Sequence, residues 1–341
     1  EDLAVSAPDE TTLVRRCREP FYPHRCVEDG VVHVFDGTPG GLVPQNAMTI
    51  DVSDVDQGFL VAEWGLALGS SLAIGDLDGD GIGELAIGAP HTIGVIPPLE
   101  GGEGVIFVVA GSTEGLLLGK SGNVIFGVDN GSVLQHANQG AGPMRVADIG
   151  GVPHLVVGHP GYDEGGWEDS GAVLTYRFDA SLPLSKRYAL VSLIRQTSFG
   201  LAGQSSHDNF GHAIDVGDFN ADGFSDLVVG TPGKNIAVGG QTVEDGGRIY
   251  VVYGSATGYN LSNIQVFDQS LFPGQSAQRN DGFGFAVAAG DISGDGIDDV
   301  VLGAPGEAST DTGFFYFLVG SPQRLRVATS ATPDFSGGVN A

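Results

Sequence analysis

One pattern recurs along this 341-residue chain and limits its possible folds more than any other feature. It is an acidic, glycine-bearing turn set between two short apolar runs. "GDLDGDGIGELAIGAP" (75–90) returns as "GDFNADGFSDLVVGTP" (217–232) and as "GDISGDGIDDVVLGAP" (290–305), with a degenerate copy, "ADIGGVPHLVVGHP" (147–160). The leading aspartates, Asp76, Asp148, Asp218 and Asp291, stand 72, 70 and 73 residues apart. A repeat of this length marks stacked supersecondary units rather than one irregular core.

The copies extend past the turn. Each is followed by a glycine and a β-rich run: "GVIFVVAG" (104–111), "GAVLTYRF" (171–178), "GRIYVVYG" (247–254) and "GFFYFLVG" (313–320). A weaker apolar segment comes next, and runs such as "FGHAIDVGD" (210–218) and "FGFAVAAGD" (283–291) lead into the turns. One unit therefore reads strand a, acidic turn, strand b, long loop, strand c, short turn, strand d. The 56 glycines punctuate short strands, and no long helical period is present. Four short antiparallel strands cannot bury both their faces alone, and stacking them radially gives a β-propeller. At the N-terminus "DLAVSAP" (2–8) matches "DLVVGTP" (226–232), and "GVVHVFDG" (30–37) matches strand c. The first unit thus has strands b, c and d but no strand a. The expectation is an all-β chain: one propeller over residues 1–341, built of four-stranded antiparallel blades. Its five units run approximately over 1–58, 59–128, 129–198, 199–271 and 272–341, the first incomplete.

Aligned, the turns place oxygen-bearing side chains at positions 1, 3, 5 and 9. These are Asp76, Asp78, Asp80 and Glu84; Asp218, Asn220, Asp222 and Asp226; and Asp291, Ser293, Asp295 and Asp299. Glycine at position 6 permits a sharp bend, and the carbonyl at position 7 (Ile82, Phe224, Ile297) completes a sphere of hard oxygens. Such a set suits calcium better than magnesium. The likeness to an EF-hand loop stops there, because position 12 is Ile87, Val229 or Leu302 and the flanks read as strands. Three cation sites are expected, the four-carboxylate loop binding most tightly. None is expected in the third copy, which keeps only Asp148.

The formal net charge of −27 excludes a basic stripe for nucleic acid or an anionic membrane, and bound cations would relieve the self-repulsion. Cys17 and Cys26 bracket a proline-bearing segment, "CREPFYPHRC". A local disulfide and an oxidising compartment are expected, two reduced thiols being the alternative. No run of eighteen apolar residues would insert into a bilayer, and no signal peptide is recognised, although "EDLAVSAP" is an abrupt start that processing or truncation would explain.

Phe210-Gly211 and Phe283-Gly284 precede their acidic loops, and Gly88-Ala89-Pro90 and Gly303-Ala304-Pro305 follow theirs. Leu68-Gly69, Gly230-Thr231-Pro232 and Gly158-His159-Pro160 are variants. Over nearly the whole chain this resembles the FG-GAP repeat of integrin α-subunit propellers. The resemblance implies a propeller, commonly of seven blades, with calcium in the a–b hairpins and a use in adhesion and ligand binding. Similar repeats occur in fungal lectins, in glycosylphosphatidylinositol-specific phospholipase D and in bacterial surface proteins. The chain departs from the family in blade number and in its missing first strand. Either upstream blades were removed, or the tail 332–341, with its Asp334-x-Ser336 echo of the turn, closes the ring.

In an up-and-down blade the a–b and c–d turns share one face, and the long b–c loops share the other. Function concentrates on loops carried by a rigid scaffold. Loop 161–170 offers Tyr162 and Trp167, and loop 9–29 offers Phe21, Tyr22, Arg15 and Arg16. Both are candidate ligand-binding loops, ordinary packing against neighbouring blades being the alternative. "GLLLGKS" (115–121) lacks the spacing of a phosphate loop, and neither HExxH nor GxSxG is present. The reading is a secreted or cell-surface calcium-binding protein that binds extracellular proteins or glycans without catalysis. Two alternatives stand: a carbohydrate-active enzyme or its accessory domain, and a structural subunit of an extracellular assembly, by self-association or with further blades.

Overall fold

A strand covered on both faces carries an unbroken apolar run instead of an alternating one. Glu84–Ala89 is buried at all six positions and Val105–Val109 at all five. Neighbouring sheets supply the cover. The computed structural model describes residues 3–8, 30–38, 40–55, 60–61, 67–90, 93–94, 104–118, 123–126, 128–129, 132–133, 142–182, 187–201, 204–306 and 313–328.

Five sheets follow one another along the chain, each ordered as its strands occur in sequence. The first has three strands, Leu3–Ala7, Val31–Thr38 and Gly41–Ile50, paired antiparallel. They are the strands b, c and d read from the sequence. The other four sheets have four strands each. The second comprises Leu72–Gly75, Glu84–Ala89, Val105–Val109 and Asn123–Phe126; the third, Met144–Asp148, Pro153–His159, Ala172–Phe178 and Tyr188–Ile194. The fourth comprises Ala213–Gly217, Asp226–Thr231, Arg248–Val252 and Ile264–Phe267; the fifth, Ala286–Gly290, Asp299–Ala304, Phe314–Val319 and Arg326–Val327. This is the blade architecture of a β-propeller. The one α-helix among the described residues is the four-residue Val52–Val55.

The b–c loops contain structure of their own. Ile236–Val238 pairs with Gln241–Val243 inside one, and Ile93–Gly94 pairs with Leu60–Val61. Neither ribbon was read from the sequence. Each is only two or three residues long, too short to show a period.

Contacts divide the chain into two compact units: Glu1–Val146, Pro153–Tyr162 and Leu174–Leu193; and Ala147–Val152, Asp163–Val173 and Ile194–Ala341. In the first unit, one core joins Val32 and Ile50 of the first sheet to Leu85, Ile87 and Phe107 of the second. A second core joins Ala86, Ile106 and Val108 to Leu155, Val157, Leu174 and Tyr188. In the second unit, Val228, Ile249 and Val251 of the fourth sheet pack against Val300, Leu302, Tyr316 and Leu318 of the fifth.

Aromatic triads lock the joints of the second unit. Phe199, Phe210 and Tyr250 lie with ring centroids 5.4–5.9 Å apart. Phe272, Phe283 and Tyr316 repeat the arrangement at 4.7–5.7 Å. A buried glutamine serves each triad: the Tyr250 hydroxyl donates to Gln196 Oε1 at 3.1 Å, and Gln269 Nε2 donates to the Tyr316 hydroxyl at 2.8 Å. Full burial of one such phenylalanine stabilises by about 1.5–3 kcal/mol, which explains why Phe-Gly recurs ahead of the acidic turns.

Candidate metal centre: the acidic a–b turns

Each acidic turn lies between strands a and b of its sheet, as the repeat predicts. In the first, Gly81 at position 6 has φ +87°, and Gly223 and Gly296 match it at +84° and +89°. The chain reverses there in a conformation that side chains oppose. Backbone amides then fix the carboxylates. Asp76 Oδ1 accepts from the Gly79 amide at 2.7 Å and Oδ2 from the Gly81 amide at 2.9 Å. Asp78 accepts from the Asp80 amide, and Asp80 from the Ile82 amide. The second turn repeats this with Asp218 accepting from Gly223, Asn220 from Asp222, and Asp222 from Phe224. In the third, Asp291 accepts from Gly294, Asp295 and Gly296, and Asp295 from Ile297. Ser293, at position 3, donates its own amide to Asp299 at 2.7 Å.

Position 9 behaves differently. Glu84, Asp226 and Asp299 are buried, while positions 3 and 5 face solvent or nearly so. Each position-9 carboxylate accepts from the start of its own turn and from the glycine that ends strand c. Glu84 takes the Leu77 amide at 2.7 Å and the Gly111 amide at 3.4 Å. Asp226 takes Phe219 at 2.9 Å and Gly254 at 2.8 Å. Asp299 takes Ser293 at 2.7 Å and Gly320 at 2.8 Å. One buried carboxylate thus ties the a–b turn to the c–d turn. Sequence spacing reveals the acid but not this second duty, because its partner lies more than twenty residues away.

Negative charge is held at a cost. Desolvation pushes the Asp226 carboxyl up to about 7, against opposing hydrogen bonds from Gly254 and Phe219 and with further upward pressure from Asp222 and Asp218. Desolvation also raises Glu84 and Asp78, and the nearby Asp80 and Asp76 push Asp78 further. Ligand oxygens of Asp76, Asp78 and Glu84 lie within 4.8 Å of one another, the one such carboxylate trio among the described residues. Tyr188, from strand d of the third sheet, is buried beside Leu77. Its hydroxyl is buried without a hydrogen-bond partner among the described residues, and its proton is held more tightly by desolvation and by the charges of Glu84, Asp78 and Asp76. Converging hard oxygens, mutually repelling carboxylates and a buried orphan hydroxyl fit a hard divalent cation in this turn.

The third repeat turns tightly instead. Asp148 accepts the Gly151 amide at 2.6 Å, and no second carboxylate occurs in 149–152. Buried His154 precedes Leu155 where Glu84 precedes Leu85.

The candidate ligand-binding side chains fall elsewhere. Tyr162 is half-buried and meets His159 edge-on at 5.8 Å. Trp167 is 47% exposed at the end of a two-residue hairpin, Glu164 to Trp167, turned by Gly165 and Gly166. Arg195 and Gln204 anchor Glu164 at 2.9 and 3.0 Å. Phe21, Tyr22, Cys17, Cys26 and the tail 332–341 lie outside the described residues.

A family model described as FG-GAP repeat matches residues 68–108, 210–252 and 283–318. The chain carries FG-GAP repeats in these three places. All three matches run through an acidic turn, from the leading Leu-Gly or Phe-Gly pair into strand c. Integrin alpha pat-2 of Caenorhabditis briggsae is 29% identical over 255 residues, 70% of this chain and 18% of the relative. Human phosphatidylinositol-glycan-specific phospholipase D is 34% identical over 167 residues, 48% of this chain and 18% of the enzyme. Integrin alpha-5 of Xenopus laevis is 34% identical over 103 residues, 30% of this chain and 8% of the relative. The FG-GAP chain therefore spans less than a fifth of the length of these curated relatives. Among solved structures, a rhamnogalacturonan lyase of Bacillus licheniformis aligns at TM-score 0.38 and 15% identity over 80% of this chain and 48% of its own.

Proposed function

We propose that this FG-GAP protein is a calcium-stabilised recognition module, working outside the cell or on its surface as an adhesive binder of proteins or glycans rather than as an enzyme. The observation that carries the reading is the convergence of Asp76, Asp78 and Glu84 within a turn whose geometry recurs twice. Asp76, Asp78, Asp80, Glu84 and the Ile82 carbonyl would hold the first ion. Asp218, Asn220, Asp222, Asp226 and the Phe224 carbonyl would hold the second, and Asp291, Ser293, Asp295, Asp299 and the Ile297 carbonyl the third. A bound calcium ion supplies the positive charge that offsets carboxylate repulsion at these turns.

The chain's own residues do the rest. Position-9 carboxylates carry order from the a–b turn to the c–d turn, leaving rigid sheets to present the opposite loops. The placement outside the cell is supported by the similarity to Integrin alpha pat-2 and Integrin alpha-5. No described helix is long and apolar enough to cross a membrane. Exposed Trp167, on its anchored hairpin, is the candidate anchor for a ligand.

Thermal unfolding with and without chelator tests the metal. Adding EGTA should lower Tm substantially and calcium should restore it, with about three ions bound per chain by native mass spectrometry. A melting curve indifferent to EGTA would overturn the proposal.

A further inference from the structure

The third sheet backs directly onto the base of the first acidic turn. A Cβ on Gly75, one residue before Asp76, would come within 2.8 Å of the Val146 side chain of the third sheet's strand a. On the same side, Tyr188 heads the third sheet's strand d and packs in one core with Leu77, position 2 of the turn. Tyr188 is 8% exposed. Its hydroxyl is buried and finds no hydrogen-bond partner among the described residues.

The matching place in the fifth sheet shows what packing alone selects. Leu325 stands just before strand d there, 2% exposed, and shares a core with Phe219, position 2 of the second turn. An apolar side chain fills that corner with no polar atom to satisfy. In the third sheet the corner carries a hydroxyl instead, and a buried hydroxyl left unpaired destabilises the fold. Its surroundings say what it faces. Desolvation holds the phenol proton, and the acids that add to the effect, against Arg187, are Glu84, Asp78 and Asp76. These are the same three residues whose ligand oxygens lie within 4.8 Å of one another.

We propose that Tyr188 is a cross-sheet ligand of the first turn, its hydroxyl oxygen joining the shell of the divalent cation held by Asp76, Asp78 and Glu84, so that one ion ties the second sheet to the third. This rests on the cation reading above and adds the partner from across the joint. The chemistry suits it. Calcium takes about six to eight oxygens, and the turn's own five residues leave room. A neutral phenol oxygen fills a place without adding to the repulsion among the carboxylates, and the ion satisfies the orphan hydroxyl. The joint also lacks the tie used in the second unit. There the Asp218 amide donates to Asp298 Oδ2 of the fifth sheet at 2.9 Å. In the third repeat the residue before His154, where Asp298 precedes Asp299, is Pro153, which has no carboxylate.

Tyr188→Phe tests this, because it removes the oxygen and keeps the ring. Hydrogen exchange through a calcium titration reads three peptides: 76–84, 188–194 and 218–226. In the wild-type protein, calcium should protect 76–84 and 188–194 together. In the variant the midpoint at 76–84 should move to calcium concentrations about fivefold higher, protection of 188–194 should no longer follow it, and 218–226 should titrate as before. The melt in EGTA should not fall, because an unpaired hydroxyl has been removed. An unmoved midpoint at 76–84 would overturn the proposal. So would an EGTA melt lowered as much as the calcium melt, because packing would then account for the whole loss. If calcium leaves 76–84 unprotected in the wild-type protein, the cation reading of this turn fails and the proposal falls with it, whereas a wild-type response that Tyr188→Phe leaves intact removes the tyrosine alone.

Discussion

Asp218 and Asp298 hydrogen-bond to each other twice across two turns: the Asp218 amide donates to Asp298 Oδ2 at 2.9 Å, and the Asp298 amide donates to the Asp218 carbonyl at 3.1 Å. Asp218 opens the second acidic turn, and Asp298 sits at position 8 of the third, one residue before Asp299. The two candidate cation turns of the second unit are therefore joined without an intermediary.

That junction predicts coupling. Asp298→Ala removes a charge-assisted bond worth about 1.5–3 kcal/mol and leaves every candidate ligand in place. Calcium affinity of the second turn should fall by about tenfold. Hydrogen exchange of the peptide spanning 213–226, at subsaturating calcium, reads it directly. Unchanged exchange there would show the turns to be independent.

Position 9 and position 5 should separate under substitution. Asp226→Asn leaves one of two buried amides facing a donor, at a cost of about 1–3 kcal/mol, and this should appear in EGTA as well as in calcium. Asp222→Asn alters an exposed carboxylate, so it should lower Tm in calcium while leaving the EGTA melt nearly unchanged. Calorimetry of both variants in both buffers makes the comparison.

The metal-free protein should respond to pH in an unusual sense. Folding raises the Asp226 carboxyl from 3.8 to about 7 through desolvation. Its contribution to stability is whole below the unfolded value and is lost as pH rises through about 7. Glu84 shifts in the same direction by the same cause. In EGTA, Tm should therefore be higher at pH 5 than at pH 8. In saturating calcium the order should reverse, because protons compete with the ion for these oxygens.

Trp167→Ala tests the loop candidate separately from the fold. The side chain is exposed, so stability should change by less than about 0.5 kcal/mol. Binding to a glycan or protein array should be lost if this hairpin is the anchor. Retained binding at wild-type strength would move the site elsewhere.

By contrast Phe210→Ala should be severe. It opens a cavity under Phe199 and Tyr250 and should cost about 3–5 kcal/mol, read by urea unfolding. The third-repeat turn at Asp148 provides a control: Asp148→Ala should leave calcium stoichiometry unchanged.

Much of this was legible in the sequence because the repeat is local. The turns at Asp76, Asp218 and Asp291, the short strands beside them, and the three-stranded opening sheet all follow from residues within reach of one another along the chain. What stayed hidden depends on distant partners. The orphan Tyr188 hydroxyl belongs to the following sheet. The Gly111, Gly254 and Gly320 amides that position 9 serves lie 21–28 residues beyond it. The Asp218–Asp298 junction spans 80 residues.

The double duty of the position-9 acid constrains how such a turn evolves. In a turn that held no ion, that residue would still be needed to join the two hairpins, so the exposed acids could change one by one while the buried acid could not. The third repeat has His154 in place of the acid and a turn two residues shorter, the outcome expected where the whole device was replaced together.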